Sequence, residues 1–133
     1  PPRKESIMGY RSTVKYIIET EDAPAFLEKF LAQSEYTREN LEGAGNFTVT
    51  DKHILLDASW VKWYALRLGV SADYVYREVE ASEALVEYAQ EHDDVTRGGF
   101  ARIGEEDDDS EIFYWGEDPY GLIGVQRFIE INC

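Results

Sequence analysis

Apolar residues at Val14, Tyr16, Ile17 and Ile18 stand among Thr13, Lys15 and Glu19. Val, Ile and Tyr in that pattern suit a pleated, half-buried surface, so the segment predicts a first strand. The period then changes. Ala23, Phe26, Leu27, Phe30 and Leu31 follow one another at i, i+3, i+4, i+7 and i+8. They form one apolar stripe on a helix running to Ser34, with Glu21-Asp22 at its cap and Pro24 in its first turn, where proline is tolerated. Glu35 to Asn46 is polar and closes in Gly43-Ala44-Gly45-Asn46, which predicts a loop and turn. Phe47 to Thr50 and His53 to Asp57 read as paired strands around an Asp51-Lys52 turn, and Ser59 to Tyr64 is β-rich. Residues 65–78 fit a strand and a capped helix equally. The helical stripe returns in Ala81, Ala84, Leu85, Tyr88 and Ala89, predicting a second helix from Glu80 to His92 closed by Asp93-Asp94 and Gly98-Gly99. Phe100 to Ile103, Ile112 to Trp115 and Leu122 to Ile131 read as later strands. In the last of these, Val125 and Arg127 face one way and Phe128 the other.

Strands and helices mix without regular alternation, and late connections are of hairpin length. The pattern predicts an α+β fold: an antiparallel sheet of about five to six strands with two helices packed on one face. One domain over residues 8–133 fits the length of 133 residues. Met8-Gly9 reads as a translation start, so residues 1–7 read as an expression remnant. Met8 to Thr13 also matches a loose myristoylation pattern, but nothing reinforces such an anchor.

With 44% hydrophobic residues the chain can fill a core, which argues against global disorder. No apolar run approaches a membrane span and no leader is recognisable, so the expected location is the cytoplasm. The single cysteine, Cys133, admits no intrachain disulfide and suits a reducing compartment.

Charge changes the picture most. Residues 1–77 carry eleven acids against ten bases, whereas residues 78–118 carry fifteen acids against Arg97 and Arg102 alone. That segment holds −13 of the net −14. Such a surface repels nucleic acid and anionic lipid and admits a basic partner protein. Glu83, Glu87 and Glu91 fall four apart and line one side of the second helix at intervals of about 6 Å. Like charges at that spacing weaken a helix by a few tenths of a kcal/mol per pair. In the run 105–118, Glu105, Glu106, Asp107, Asp108, Asp109, Glu111, Glu117 and Asp118 are acidic, with Ile112, Phe113, Tyr114 and Trp115 among them. Acids beside aromatics can imitate phosphates and supply desolvated anchors. The partner-binding residues are therefore expected to be these eight acids, Glu83, Glu87 and Glu91, with Tyr114 and Trp115 as anchors. A solvated acidic loop that only aids solubility is the plainer alternative.

Catalytic chemistry finds less support. There is no nucleophile elbow, no phosphate loop and no dinucleotide fingerprint. Cys133 is terminal, and His53 and His92 read as structural. The 105–111 run offers hard oxygen ligands, but position 6 of a calcium loop counted from Asp107 is Ile112 where glycine is needed. No catalytic residue, metal or cofactor is expected. A small metal-dependent enzyme using the 105–118 carboxylates is the runner-up. A structural or dimerising protein with Trp60, Trp63 and Trp115 at an interface is the third reading.

Met8-Gly9-Tyr10-Arg11-Ser12 before a strand, Val61-Lys62-Trp63-Tyr64, the acidic helix, Ala101-Arg102-Ile103-Gly104-Glu105-Glu106-Asp107-Asp108 and Arg127-Phe128-Ile129-Glu130 together resemble a group of small acidic phage-encoded proteins. Residues 65–79 have no counterpart in that pattern and read as an insertion. The resemblance implies a phage origin and carries over no catalytic residue. By analogy it suggests a phage accessory protein that binds and inhibits a host nucleic-acid-handling defence protein, of anti-CRISPR or anti-restriction type, by occupying its basic groove.

Overall fold

A computed structural model describes residues 11–60, 77–106, 108–125 and 129–132. The strands and helices are β1 (Ser12–Thr20), α1 (Ala23–Gln33), α2 (Arg38–Gly43), β2 (Asn46–Val49), β3 (His53–Trp60), α3 (Arg77–Glu91), β4 (Thr96–Ile103), β5 (Ser110–Trp115), β6 (Ile123–Val125) and β7 (Ile129–Ile131). Five strands form one sheet in the order β2-β3-β1-β4-β5, antiparallel throughout, and β6 and β7 form a separate two-stranded ribbon. The fold is α+β. With α2, β5 and the ribbon set aside, the described elements run β-α-β-β-α-β with β1 inside the sheet, the ferredoxin-like, split βαβ order. That arrangement hosts many functions and selects none.

Strand alternation sorts the core into two layers. Val14, Tyr16 and Ile18 of β1, Ile54, Leu56 and Trp60 of β3 and Phe100 of β4 face the helices. Ile17, Ala101 and Ile103 face the other way, where Leu122, Ile123 and Ile129 of the ribbon segment cover them. Both predicted helical stripes land on the helix side: Phe26, Leu27 and Phe30 of α1 are buried, as are Leu85 and Ala89 of α3. Helix α1 starts where Asp22 accepts a hydrogen bond from the Ala25 amide at 3.1 Å, with Pro24 in the first turn. Burial also pushes the Tyr16 phenol well above its ordinary value, although its hydroxyl lies 3.4 Å from Ser82 Oγ.

The chain departs from its sequence pattern in four places. The polar stretch after α1 is not all loop, because α2 forms there. The Thr37 hydroxyl accepts from the Asn40 amide at 3.2 Å, the Asn40 side chain accepts from the Thr37 amide at 3.1 Å, and Leu41 is buried. This is a reciprocal capping box with asparagine in place of the usual glutamate or glutamine. The predicted strands at 53–57 and 59–64 join in β3, which continues unbroken to Trp60. Gly98 and Gly99 do not close α3 but lie inside β4. A Cβ on Gly98 would strike the Ile17 carbonyl and the Trp115 ring, and one on Gly99 would strike Ile123. Glycine is required there by close approach, not by a turn. The predicted long last strand is instead the β6–β7 ribbon, with Ile123 opposite Ile131. Val61 to Tyr64, most of the ambiguous 65–78 segment, Asp107, and the Arg127 and Phe128 facing lie outside the described residues.

Candidate interaction surface

Helix α3 carries its acids in an unfavourable place. Acidic groups stabilise a helix N-terminus and oppose its C-terminus, where the macrodipole is negative. Glu78 and Glu80 in the first turn are well placed, and the last turn has no base. Yet Glu87 and Glu91 are exposed in the C-terminal half, and exposed Asp93 and Asp94 follow directly. Asp93 and Asp94 border an open cleft of about 600 Å³ at one end of the sheet, shared with Glu19, Glu21, Lys52, Arg97 and Glu117. Glu21, Asp93 and Asp94 were not among the expected binding residues. The two aspartates read in sequence as helix closers, although they already counted in the acidic segment.

A second feature lies between α3 and β5. Glu83, Val86, Glu87 and Gln90 on the helix side and Phe100 and Phe113 on the sheet side line a groove of about 330 Å³. Its floor belongs to a row of rings. Phe100 stacks on Phe113 at 5.0 Å between centroids, Trp60 lies 6.5 Å from Phe100, and Trp115 lies 6.4 Å from Phe113.

The aromatic anchors differ from expectation. Opposite β4, the strand places Glu111, Phe113 and Trp115 beside Arg102, Phe100 and Gly98, and Tyr114 on the other side beside Gly99. Trp115 is 7% exposed because the glycine at position 98 lets its ring sink inward. Phe113 is 38% exposed because the Phe100 ring occupies the space beneath it. The exposed aromatic of β5 is thus Phe113, not Trp115. Tyr114 is half-buried on the ribbon side, donating from its hydroxyl to the Ile123 carbonyl at 3.1 Å. The Trp115 indole N–H is buried, with no hydrogen-bond partner among the described residues. Trp60 is also buried, donating to the Ala44 carbonyl at 3.0 Å, so neither Trp60 nor Trp115 offers a dimer surface; Trp63 lies outside the described residues.

The 105–118 acids divide. Glu105, Glu106, Asp108, Glu111, Glu117 and Asp118 are exposed. Asp109 is not, and it leaves the set of surface residues. It is 6% exposed and accepts from Arg102 Nη2 at 2.6 Å. Arg102, itself buried, also donates to Ser12 Oγ at 3.1 Å and to Glu111 at 3.4 Å. A buried guanidinium needs an anionic neighbour, and the hairpin supplies Asp109. Glu105 Oε2 accepts from the Arg11 amide at 2.6 Å. Among the described residues, no group of three or more His, Cys, Asp or Glu side chains is placed to hold a metal ion.

The histidines take structural positions. His92 follows α3, with Nδ1 2.8 Å from the Tyr88 carbonyl and its ring against Phe26 and Tyr88. His53, Glu19 and Arg97 form one row across β3, β1 and β4, on the ribbon side. Arg97 Nε donates to Glu19 Oε1 at 2.6 Å, and His53 Nε2 lies 2.7 Å from Glu19 Oε2. The Arg97 hydrogen bond, aided by His53 and opposed by desolvation, holds the Glu19 carboxyl below its ordinary value. The unfolded chain therefore takes up this proton first as pH falls. The stabilisation is complete above the ordinary carboxylate range and is lost as pH drops through the lower folded value. Chemical denaturation across acid pH is expected to show stability falling in that window, with Glu19→Gln removing part of the slope. An unchanged slope would mean that Glu19 is not held by this row.

Both arginines of the acidic segment are thus engaged within the fold, Arg97 with Glu19 and the Asp118 carbonyl, Arg102 with Asp109 and Glu111. Among the described residues no helix is long and apolar enough to cross a membrane. No family model, no curated protein and no solved structure matches this chain.

Proposed function

We propose that this chain is a phage accessory protein that binds a basic, nucleic-acid-handling host protein and inhibits it by presenting acids where nucleic acid would lie. The host cell cytoplasm is the site of action in this reading, with no direct contact to nucleic acid or membrane and no cofactor. The observation that carries it is the charge at the C-terminal half of α3. Glu87, Glu91, Asp93 and Asp94 work against the helix dipole and against one another, and no base in the last turn offsets them. Solubility alone would be served by acids placed at less cost, so a basic partner is the natural recipient of this surface.

The test begins with capture of the partner from host lysate on immobilised protein. Association with that partner is expected to slow steeply with salt, because the Debye length shrinks from about 10 Å at 0.1 M to about 3 Å at 1 M. The partner's own nucleic acid should compete. Glu87→Gln with Glu91→Gln should lower the on-rate while leaving the melting temperature unchanged or slightly raised. Binding indifferent to salt, to nucleic acid and to both substitutions would reduce the acidity to a solubility feature.

A further inference from the structure

Among the described residues, strand β5 ends the sheet and no strand pairs with its outer side. No main-chain group from Ser110 to Trp115 has a hydrogen-bond partner outside the β4–β5 ladder among the described residues. Proteins usually blunt such an edge with lysine, proline or a bulge. The segment Ser110-Glu111-Ile112-Phe113-Tyr114-Trp115 has no lysine or proline and is rich in strand-forming residues. Glu111 is the one charge within it. Exposed acids bracket it, Glu105, Glu106 and Asp108 before and Glu117 and Asp118 after, and Glu83 and Glu87 stand across the groove from Phe113. A second copy of a chain with net charge −14 is repelled from this edge. A basic strand is attracted to it. The opposite edge, β2, has four residues and no acid within it.

We propose that β5 is a docking edge for an extended basic segment of the partner, which adds to the sheet beside β5. Main-chain hydrogen bonds then supply affinity, and alternate side chains supply selection. Side chains on one side of an added strand recur about every 6.6–6.8 Å. One of them stands opposite Phe113, and an apolar residue there covers the exposed ring. A lysine or arginine two positions away stands beside Glu111 or leans toward Glu87. The segment recognised is therefore short, β-prone and alternating, an apolar residue with basic residues two positions to either side. This deepens the acidic-surface reading and rests on it.

A short peptide repeating Lys-Thr-Val-Thr, which sets lysine and valine in turn along one side of an extended strand, is the probe, titrated against the full chain at low salt. Two further peptides of the same sequence carry N-methyl groups on every second amide, one on each alternation. Successive N–H groups of a strand point to opposite edges, so only one alternation faces β5. The parent peptide is expected to bind and to slow amide exchange within Ser110–Trp115. One methylated peptide should bind about tenfold or more weakly, and the other as the parent does. Equal binding of all three peptides, still weakened by salt, overturns strand addition and leaves the acidic surface standing. Protection at β2 or α3 in place of β5 overturns it likewise. Absence of binding by the parent peptide at low salt overturns both.

Discussion

Phe30→Ala is expected to lower the free energy of unfolding by about 3–5 kcal/mol, a large part of the roughly 5–15 kcal/mol that holds a domain of this size. The reason is position more than hydrophobicity. Phe30 is 1% exposed, and its ring lies 5.5 Å from that of Tyr88, which also meets Phe26 at 5.2 Å. These rings tie α1 to α3, and both helices lie over β1. The truncation removes the transfer energy of the ring and leaves a cavity that neither helix can close without leaving the sheet. Leu31, one residue on, is only half-buried, so Leu31→Ala should cost distinctly less. Denaturant midpoints of the two variants, taken with unchanged slopes, provide the measurement. A Phe30→Ala protein as stable as wild type would mean that α1 does not seal the core.

The layers of this fold were legible because periodicity reports local burial. A helix with apolar residues at i, i+3 and i+4 has one side to hide, and the unbroken Tyr16-Ile17-Ile18 run of β1 marks a strand covered on both sides. What periodicity leaves out is the identity of the neighbour. Helix α2 was missed because Asn40 replaces the usual third residue of a capping box and Leu41 stands alone, too little for a stripe. Gly98 and Gly99 read as punctuation because their reason lies on other segments, in Trp115 and Ile123. The acidic surface was legible as a quantity of charge and not as a shape. Phe113 and Trp115 occupy equivalent sides of one strand. Only the residue beneath each, Phe100 or Gly98, decides which ring is exposed. Likewise Asp109 is one of five consecutive acids, and nothing within the run marks it. The β4–β5 register marks it: Ile103 opposite Ser110 and Arg102 opposite Glu111 bring the guanidinium to the base of the turn that carries Asp109.

That register gives the last prediction. Asp109→Ala is expected to destabilise the fold by about 3–5 kcal/mol, because it removes a carboxylate that a buried guanidinium holds at 2.6 Å. The Arg102 and Asp109 side chains are 6% and 5% exposed and meet at 2.6 Å. Glu111, at 3.4 Å and 42% exposed, is too solvated to take over. Asp108→Ala, one residue earlier and exposed, should change stability by no more than about 0.5 kcal/mol. The two aspartates are identical in charge and adjacent in sequence, so the contrast isolates burial. Replacing Arg102 and Asp109 together by leucine should recover much of the loss, since an apolar pair of similar volume often matches a buried ion pair. The partition bears on function as well. Neutralising Glu105, Glu106 and Asp108 should weaken association with a basic partner and spare the fold, whereas any variant that includes Asp109 confounds binding with unfolding. Equal, small effects of Asp109→Ala and Asp108→Ala would show that the Arg102 pair does not form and would return Asp109 to the acidic surface.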